Sequence, residues 1–252
     1  MRKLKENFKK LYNEFLNIKK KEWIKGSSNG QGNVGITFEV ELGKERENFP
    51  IPDYEGIEIK TSLKRKGLPG NITLFSATPD GPCIFQTQIL KEKYGWSDKI
   101  LPEYKIFYAT LNGNKYTKVN KNFYMKLEVD RKEKRVYLKV CDSNFRKIER
   151  ECFWDFSSLE EKLLRKLKYL AYVEAEKKTI NNEQYFKYNS INFYQLKSFE
   201  QFLHLLEIGK IKLCFKVGIY RSGIKKGKTY DHGTGFIINK GYLYLLYDKL
   251  TI

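Results

Sequence analysis

The stretch PDYEGIEIKTS, residues 52–62, places charged side chains in a segment that otherwise reads as a buried strand. Side chains alternate across a strand, so Glu58 and Lys60 share one face while Ile57 and Ile59 share the other. We expect the isoleucines to anchor the strand in a core and Glu58 and Lys60 to point together into a cleft. The alternative is an ordinary amphipathic strand with a salt-bridged, solvated face.

Asp53 lies five residues before Glu58 and directly after Pro52, which restricts the backbone at this point. A turn here can fold Asp53 back toward Glu58. Two carboxylates that converge on one point suit Mg²⁺, which takes oxygen ligands and keeps several waters. The backbone carbonyl of Ile59 can complete the ligand set. Lys60 would position or activate the attacking water and offset charge on the transition state. The spacing therefore indicates a metal-dependent site that cleaves phosphodiester bonds.

The composition favours a nucleic-acid partner. The chain of 252 residues carries 48 Lys and Arg against 30 Asp and Glu, a net charge of +18. A field of this size attracts polyanions, more often nucleic acid than an anionic membrane. The apolar fraction of 41% and the charged fraction of 31% are typical of a folded globular protein and exclude a disordered chain.

Other features of the chain predict a cytoplasmic protein. No run of about 18 apolar residues is present, so we expect no transmembrane helix and no membrane partner. The basic N-terminus lacks a continuous apolar segment and a small-residue cleavage site, which predicts that it is not a signal peptide. The cysteines form no CxxC pair, which argues against a disulfide framework or a zinc site. They are Cys83, Cys141, Cys152 and Cys214.

Apolar periodicity and turn residues predict a mixed α/β or α+β protein with a sizeable central sheet. Ser198 is predicted to cap the last helix. The predicted helices cover residues 3–23, 36–42, 84–95, 157–167 and 198–209. The predicted strands cover residues 56–62, 71–77, 104–111, 122–129, 135–142, 169–177, 185–191 and 211–220, followed by a short strand near the C-terminus.

Local signals separate these elements. The segment GSSNGQGNVG, residues 26–35, is predicted to be a flexible loop, and it lacks the GKS or GKT ending of a phosphate-binding loop. Pro50 and Pro52 are predicted to break the chain before the acidic strand. Ser157 or Ser158 is predicted to begin its helix with a capping box.

A second unusual stretch, VGIYRSGIKKGKTYDHGTGF at residues 217–236, concentrates charged side chains among five glycines. Glycines let a backbone approach a ligand closely. Arg or Lys can donate to guanine O6 and N7, and Asp can accept from cytosine N4, so the mixture favours base reading over phosphate contact alone. A solvated basic loop is the alternative. The candidate DNA-recognition residues are Arg221, Ser222, Lys225, Lys226, Lys228, Asp231, His232 and Thr234.

Several of these segments together resemble the MvaI/BcnI-type restriction endonucleases, in the MutH-like branch of the PD-(D/E)xK nucleases. The resemblance rests on GITFEVELG, PDYEGIEIKTS and, above all, the long motif at 217–236. It extends through LKYLAYVEAEKK at 167–178 and YFKYNS at 185–190. It thus covers the N-terminal third and most of the C-terminal half, and it is less clear at residues 95–155.

The resemblance assigns roles to individual residues. Asp53, Glu58 and Lys60 match the catalytic triplet of the family, and Glu39 matches its upstream helix acid. From its position alone, Glu39 could tune Glu58 or Lys60, hold a second ion, or be an ordinary helix-surface or capping residue. Arg221 aligns with a histidine of the MvaI-type enzymes, so the resemblance carries over neither a preference for the central base nor a phosphate contact at this position.

The resemblance also implies a fold. It is a PD-(D/E)xK restriction-endonuclease core with a mixed central sheet, in two lobes around a DNA-binding cleft. The catalytic lobe is predicted at residues 1–100, completed by a strand at 168–178. Residues 101–252 are predicted to form mainly the recognition lobe and the C-terminal part.

The implied function is that of a type II restriction endonuclease. Such an enzyme hydrolyses phosphodiester bonds of double-stranded DNA with Mg²⁺, at a short, near-palindromic site of the CC-x-GG type. We expect a monomer that cuts the strands in turn without an obligate protein partner, in the bacterial cytoplasm and beside a cognate DNA methyltransferase. A MutH-like strand-nicking endonuclease of mismatch repair and a non-catalytic DNA-binding module are the alternatives.

Overall fold

A computed structural model of the chain describes residues 2–28, 30, 32–43, 52–64, 70–83 and 85–252. Pro50 lies outside the described residues, as do Asn29 and Gln31 of the predicted loop and Ile84 of a predicted helix. The chain divides into two compact units. Unit 1 comprises Met1–Ile72, Leu164–Lys197 and Leu246–Ile252, and unit 2 comprises Thr73–Leu163 and Ser198–Leu245.

Within the described residues the chain forms α-helices, one short 3₁₀ helix (Lys240–Tyr242) and β-strands. None of these helices is long and apolar enough to cross a membrane. The helices are α1 (Arg2–Lys20), α2 (Asn33–Glu41), α3 (Gln86–Tyr94), α4 (Phe156–Leu167), α5 (Phe199–Glu207) and α6 (Leu243–Leu246). The strands are β1 (Ile24–Lys25), β2 (Glu58–Leu63), β3 (Asn71–Ser76), β4 (Trp96–Ser97), β5 (Lys105–Leu111), β6 (Thr117–Lys118), β7 (Phe123–Asp130), β8 (Arg135–Asp142), β9 (Lys147–Asp155), β10 (Tyr169–Ile180), β11 (Glu183–Leu196), β12 (Ile211–Ile219), β13 (Thr229–Asp231), β14 (Gly235–Asn239) and β15 (Tyr247–Leu250).

Unit 1 is built on one mixed sheet, in the order β1–β11–β10–β2, with β15 also paired to β11. Strands β10 and β11 are antiparallel, whereas β10 and β2 are parallel, with Leu170 opposite Glu58 and Ala175 opposite Leu63. Parallel neighbours need a long connection, and the chain between β2 and β10 supplies most of unit 2. Among the described strands, β2 therefore lies at an edge of the sheet.

Helix α1 packs an apolar stripe into the core of unit 1. Phe8, Leu11, Phe15 and Ile18 are all buried, at spacings of three and four residues that place them on one helix face. Tyr12, which neighbours these residues on the helix, is 42% exposed. The stripe joins buried side chains of α2, β2, β10, β11 and the turn before β2, among them Phe38, Ile57, Ile59, Val173, Phe186 and Tyr188.

Helix α2 begins at Asn33, earlier than predicted. Gly32 precedes it with a φ of 90°, a left-handed conformation that suits glycine. The buried Asn33 side chain accepts hydrogen bonds from the Ser28 N–H and the Thr37 hydroxyl, each at 3.0 Å. These buried bonds stabilise the first turn of the helix, so the end of the predicted loop 26–35 is helical.

Two other helix ends can be compared with their predictions. Ser198 caps α5 as predicted, because its hydroxyl accepts a hydrogen bond from the Gln201 N–H at 3.0 Å. Helix α1 ends at Lys20, before the predicted end at residue 23. The chain leaves the helix there because Ile24 pairs with Phe186 of β11.

The predicted capping box of α4 is not formed, because the helix begins at Phe156. Ser157 and Ser158 therefore lie within the first turn and not at the cap. Asp80 serves this end of the helix instead. Its carboxylate accepts hydrogen bonds from the Asp155 N–H and the Ser158 hydroxyl, both at 3.0 Å.

Unit 2 contains two sheets. One has the order β3–β14–β12–β5–β4 with β13 beside β12, and the other has the order β6–β7–β8–β9. Strand β12 is antiparallel to β5, β13 and β14. Aromatic side chains fill the core of this unit. Phe236 lies within about 6 Å of three other rings, measured between centroids: Phe75 at 5.3 Å, Phe202 at 5.4 Å and Trp154 at 6.1 Å.

The compact units divide the chain differently from the predicted boundary at residue 100. Residues 73–100 belong to unit 2, while Leu164–Lys197 and Leu246–Ile252 return to unit 1. Strand pairing is the reason, because β10 pairs with β2 and β15 pairs with β11. The strand predicted at 168–178 to complete the first lobe corresponds to β10.

Candidate active site

A tight turn returns the chain to the start of β2. Tyr54 and Ile57 exchange backbone hydrogen bonds of 2.9 and 2.7 Å across Glu55 and Gly56. Glu55 has a φ of 42° and Gly56 a φ of 90°, and two central residues with positive φ are typical of a type I′ turn. The turn brings Asp53 back beside the strand, as its position in the sequence predicts.

The carboxylate of Asp53 lies at the open edge of β2. Its Oδ2 accepts a hydrogen bond from the Ile59 N–H at 2.9 Å. The N–H and C=O of one residue point to the same side of a strand and alternate along it. Lys64 donates its N–H to the carbonyl of Ala175 in β10, so the odd-numbered residues face away from β10. The Ile59 carbonyl therefore points to the same edge as Asp53.

Glu58 is buried at this edge, with a side chain that is 1% exposed. Its Oε1 accepts a hydrogen bond from Lys60 Nζ at 2.5 Å and lies 3.4 Å from Lys166 Nζ. Its Oε2 has no hydrogen-bond partner among the described residues. Burial raises the pKa of Glu58 although the charge of Lys60 opposes the rise, and the charge of Asp53 adds to it. The carboxyl is thus costly to ionise and keeps one acceptor oxygen unused.

Glu58 and Lys60 lie on the same face of β2, as the alternation predicts, and they form an ion pair. The predicted burial of Ile57 and Ile59 is confirmed. The environment of Glu58 differs from the prediction of a cleft-facing side chain, because the carboxyl itself is buried. Lys60 is 25% exposed, so its ammonium lies between the buried carboxylate and the surface.

Lys166 is a basic residue at this site that sequence reasoning did not find. It lies in the last turn of α4, shortly before β10 begins. Because Leu170 of β10 stands opposite Glu58 of β2, the end of the helix is brought next to the carboxylate. No local spacing links residues 58 and 166, and the resemblance noted at 167–178 was the nearest signal in the sequence.

Glu39 lies on α2, which packs beside β2. The nearest point of reference is Gly35, one helical turn earlier. A Cβ added to Gly35 would lie 3.0 Å from Thr61 Oγ1 of β2 and 4.0 Å from Glu39 Oε1. The Glu39 carboxylate thus lies near the β2 side of its helix. Its role as the upstream acid stays a prediction.

The motif at 217–236 forms a closed loop at the end of β12. Tyr220 donates its N–H to the carbonyl of Lys228 at 3.0 Å, and Gly227 donates to the carbonyl of Tyr220 at 2.8 Å. The side chains at the tip point into solvent, as a surface that contacts DNA requires. The exposed candidates are Ser222, Lys225, Lys226 and Lys228.

Arg221 and His232 are also exposed, and each has a neighbour within unit 2. Arg221 Nη2 donates to Asp98 Oδ2 at 2.7 Å, and hydrogen bonding to Arg221 lowers the pKa of Asp98 to about 2. The His232 ring packs edge-on against Tyr230, with 4.2 Å between ring centroids. Both side chains are therefore accessible on the surface, as the predicted contact with DNA requires.

Thr234 does not lie on this surface. Its side chain is 1% exposed, and its Oγ1 accepts a hydrogen bond from the Lys216 N–H at 3.3 Å. Asp231 Oδ1 accepts from the N–H groups of Gly233 and Thr234 at 2.9 and 2.7 Å, which forms a turn into β14. The motif is continuous in sequence, but at Thr234 the chain re-enters the sheet. The hydroxyl of Thr234 is therefore unsuited to a base contact.

Comparison with known proteins identifies the family. A family model described as the MvaI/BcnI restriction endonuclease family matches residues 12–247. The chain belongs to the MvaI/BcnI restriction endonuclease family. Within this family, the solved structure "Restriction endonuclease MvaI-cognate DNA substrate complex" is 34% identical, with a TM-score of 0.89 over 97% of this chain and 98% of that chain. "Restriction endonuclease MvaI in the absence of DNA" is 32% identical, with a TM-score of 0.62 over 97% of each chain. A search of curated proteins gave no match.

Membership of the MvaI/BcnI family establishes the class of reaction. The chain is a type II restriction endonuclease, which is a site-specific deoxyribonuclease. The resemblance noted in the sequence is confirmed, and so is the mixed α+β fold of a restriction endonuclease. Family membership does not by itself assign catalytic or recognition roles to individual residues of this chain.

The oxygen atoms at the edge of β2 fit a divalent cation. Buried acceptors normally have a partner, so the unused Oε2 of Glu58 calls for one. The Asp53 carboxylate and the Ile59 carbonyl lie at the same edge, and oxygen atoms are the ligands that Mg²⁺ prefers. No group of three or more His, Cys, Asp or Glu side chains in the described part of the chain is placed to hold a metal ion. A cation here would thus rely on two carboxylates, a carbonyl and water.

Proposed function

We propose that this chain is a Mg²⁺-dependent, MutH-like endonuclease of the PD-(D/E)xK type, with Asp53, Glu58 and Lys60 as its catalytic residues. The observation that carries the proposal is the unpartnered Oε2 of a buried glutamate beside a lysine, in a restriction endonuclease. Restriction endonucleases generally use a divalent metal ion. Mg²⁺ in particular is our inference from the all-oxygen set.

In this proposal Asp53, Glu58 and the Ile59 carbonyl hold the ion. When bound, Mg²⁺ polarises the scissile phosphate and lowers the pKa of a bound water. Glu58 must be ionised to act as a ligand, and the charges of Lys60 and Lys166 favour its ionised form. The Ile59 N–H holds Asp53 in position, because it occupies Oδ2 of that carboxylate.

Lys60 acts on the reacting groups. One of its three donors is directed to Glu58 Oε1, and its partial exposure lets the others reach a phosphate at the surface. There the ammonium would orient the attacking water and stabilise the negative charge that develops on the phosphate oxygens. Glu39, on the helix beside β2, would act as the upstream acid that tunes this pair.

The substrate in this proposal is double-stranded DNA with a short, near-palindromic site of the CC-x-GG type. The solved complex of MvaI with its cognate DNA and the net charge of +18 support a DNA substrate. The exposed residues of the loop at 217–236 would contact it. The described part of the chain carries one such site, so a monomer would cut the two strands in turn without an obligate protein partner. In a bacterial cytoplasm, a methyltransferase of the same specificity would protect the cell's own DNA.

The test is cleavage of a plasmid of known sequence by the purified chain with Mg²⁺, followed by sequencing of the ends. Asp53→Ala and Lys60→Ala should lower the cleavage rate by about 100-fold or more, since each removes a group that acts on the reaction itself. Binding to the same DNA should change little. Glu55→Gln is the matched control, because Glu55 is an exposed acid in the same turn.

The outcomes separate the alternatives. Nicked plasmid that appears before linear plasmid supports strand-by-strand cutting by a monomer. Nicked plasmid as the final product would favour a MutH-like strand-nicking enzyme. Binding without Mg²⁺-dependent cleavage would indicate a non-catalytic DNA-binding protein. An Asp53→Ala protein that cuts at the wild-type rate would show that the site is wrongly assigned.

A further inference from the structure

Arg221 is held by a carboxylate that lies below the surface. Its Nη2 donates to Asp98 Oδ2 at 2.7 Å, and its Nε donates to Asp98 Oδ1 at 3.3 Å. The Arg221 side chain is 49% exposed, whereas the Asp98 side chain is 0% exposed. One edge of the planar guanidinium is thus fixed from below. Among the described residues, Nη1 on the outer edge has no hydrogen-bond partner.

The position of Asp98 does not depend on Arg221. Its Oδ1 also accepts hydrogen bonds from the Ile100 and Leu101 N–H groups at 2.9 and 3.0 Å. Its own N–H donates to the carbonyl of Tyr104 at 2.8 Å. The turn after β4 therefore holds the carboxylate in place, and Arg221 binds to a partner that is already ordered. A side chain fixed in this way loses less entropy when it binds a ligand.

The loop that carries Arg221 packs on the same turn. Gly227 has a φ of 80° and lies against the ring of Tyr104, where an added Cβ would come within 2.5 Å of Cζ. The Gly227 N–H closes the loop on the carbonyl of Tyr220 at 2.8 Å. Tyr104 thus contacts both the loop and, through its carbonyl, Asp98. These contacts hold the backbone that carries Arg221, while Asp98 holds its guanidinium group.

The chemistry of this pair favours a base over a phosphate. The negative charge of Asp98 lies against Arg221 and opposes its positive charge, which weakens Arg221 as an anchor for the DNA backbone. The exposed lysines of the same loop suit that role better. The free edge of a fixed guanidinium matches the O6 and N7 atoms of guanine in the major groove. We propose that Asp98 is a positioning residue that orients Arg221 to read one guanine of the recognition site. This inference rests on the proposed function of the chain as a site-specific DNA endonuclease.

The experiment begins with the full chain and a pool of random duplexes. Members that are bound or cleaved define the recognition site without assuming it. Cleavage kcat/KM and equilibrium binding are then measured on duplexes in which each base pair is replaced in turn. The proteins are the wild type, Asp98→Asn, Arg221→Ala and the double variant. In Asp98→Asn the amide oxygen can still accept from Ile100 and Leu101, but the amide nitrogen cannot accept from Arg221.

We expect Arg221→Ala and Asp98→Asn to lower discrimination at one and the same G·C pair, by about 10- to 100-fold for Arg221→Ala. The double variant should be no worse than Arg221→Ala, because Asp98 acts through Arg221. Asp142→Asn is the matched control, since Asp142 also accepts two backbone hydrogen bonds in a turn, from Asn144 and Arg146. It should leave discrimination unchanged.

Three results would count against the inference. If Asp98→Asn lowers discrimination equally when Arg221 is already Ala, Asp98 acts only on the fold. If Arg221→Ala weakens all duplexes alike and lowers the salt slope by about 1, Arg221 contacts a phosphate. If the wild type selects no duplex at all, the proposed function itself fails, and this inference fails with it.

Discussion

The folded chain provides an environment that does not fully stabilise the carboxyl of Glu58. It is buried, and its Oε2 has no partner among the described residues. An unsatisfied buried acceptor costs about 1–3 kcal/mol, and more when the group is charged. A cation at this oxygen, as in the proposed function, would supply the missing partner and offset this cost.

The first prediction concerns the pH dependence of stability. Because the pKa of Glu58 is raised in the folded state, the folded protein binds more protons than the unfolded chain just above pH 4.5, the usual value for this carboxyl. Its contribution to the free energy of unfolding therefore falls as the pH rises through this window. Glu58→Gln should be more stable than the wild type at neutral pH without metal, and the difference should vanish below pH 4.

Urea unfolding in EDTA at several pH values measures this effect, with Glu55→Gln as the control. Equal stability of wild type and Glu58→Gln at pH 7 would show that Lys60 and Lys166 already compensate for the buried charge.

Lys166 gives a second prediction at this scale. Its charge lowers the pKa of Glu58, so Lys166→Ala should raise that pKa further. The acidic limb of the pH–rate profile should then move to higher pH. The rate on the alkaline side should change by less than about threefold, because Lys166 lies farther from Glu58 than Lys60 does. Cleavage kinetics from pH 5 to 9 provide the measurement. Lys168→Ala, an exposed lysine just after α4, should leave the profile in place.

Helix α2 and strand β2 are placed close together by a missing side chain. A Cβ at Gly35 would lie 3.0 Å from Thr61 Oγ1, which is tighter than an ordinary contact. Glycine in a helix is otherwise less favourable than alanine, by up to about 1 kcal/mol. Its presence in α2 is therefore explained by the close approach of the helix to β2.

The prediction at the element scale follows from this contact. Gly35→Ala should fail to gain the usual stability of about 1 kcal/mol and should slow cleavage, because α2 moves away from β2. Thr61→Ala combined with Gly35→Ala should recover both properties, since it removes the atom that the new Cβ meets. Unfolding curves and cleavage rates of the two single variants and the double variant test this. A stabilised Gly35→Ala protein with wild-type activity would contradict it.

Sequence patterns predicted most of the regular elements, and they failed where other parts of the chain decide. The alternation in β2 and the stripe of α1 were visible because they are local periodicities. The start of α2 depends on buried hydrogen bonds of Asn33, and the cap of α4 comes from the distant Asp80. Strands β9 and β13 were not among the predicted strands, because each is stabilised by pairing to another strand, with an irregular register in β9.

At the scale of the whole molecule, the net charge of +18 predicts how DNA binding depends on salt. Neutralised phosphates release counterions, so log K should fall linearly with log salt concentration. If about 6–10 phosphates are contacted, affinity should fall by about 10³–10⁵ between 50 and 200 mM salt. Binding titrations of a duplex that contains the site, at four salt concentrations, give the slope. A slope near zero would mean that the basic surface does not contact the DNA backbone.

Local spacing was enough to predict that Asp53, Glu58 and Lys60 lie close together, because a turn and a two-residue alternation place them within one short segment; their catalytic roles were predicted from the family resemblance. Lys166 and Asp98 could not be found in this way. Lys166 reaches Glu58 only because β10 pairs with β2, and Asp98 reaches Arg221 from 123 residues earlier in the chain. Nearby residues meet through backbone geometry that any strand imposes, whereas distant ones meet only through the packing of the complete fold.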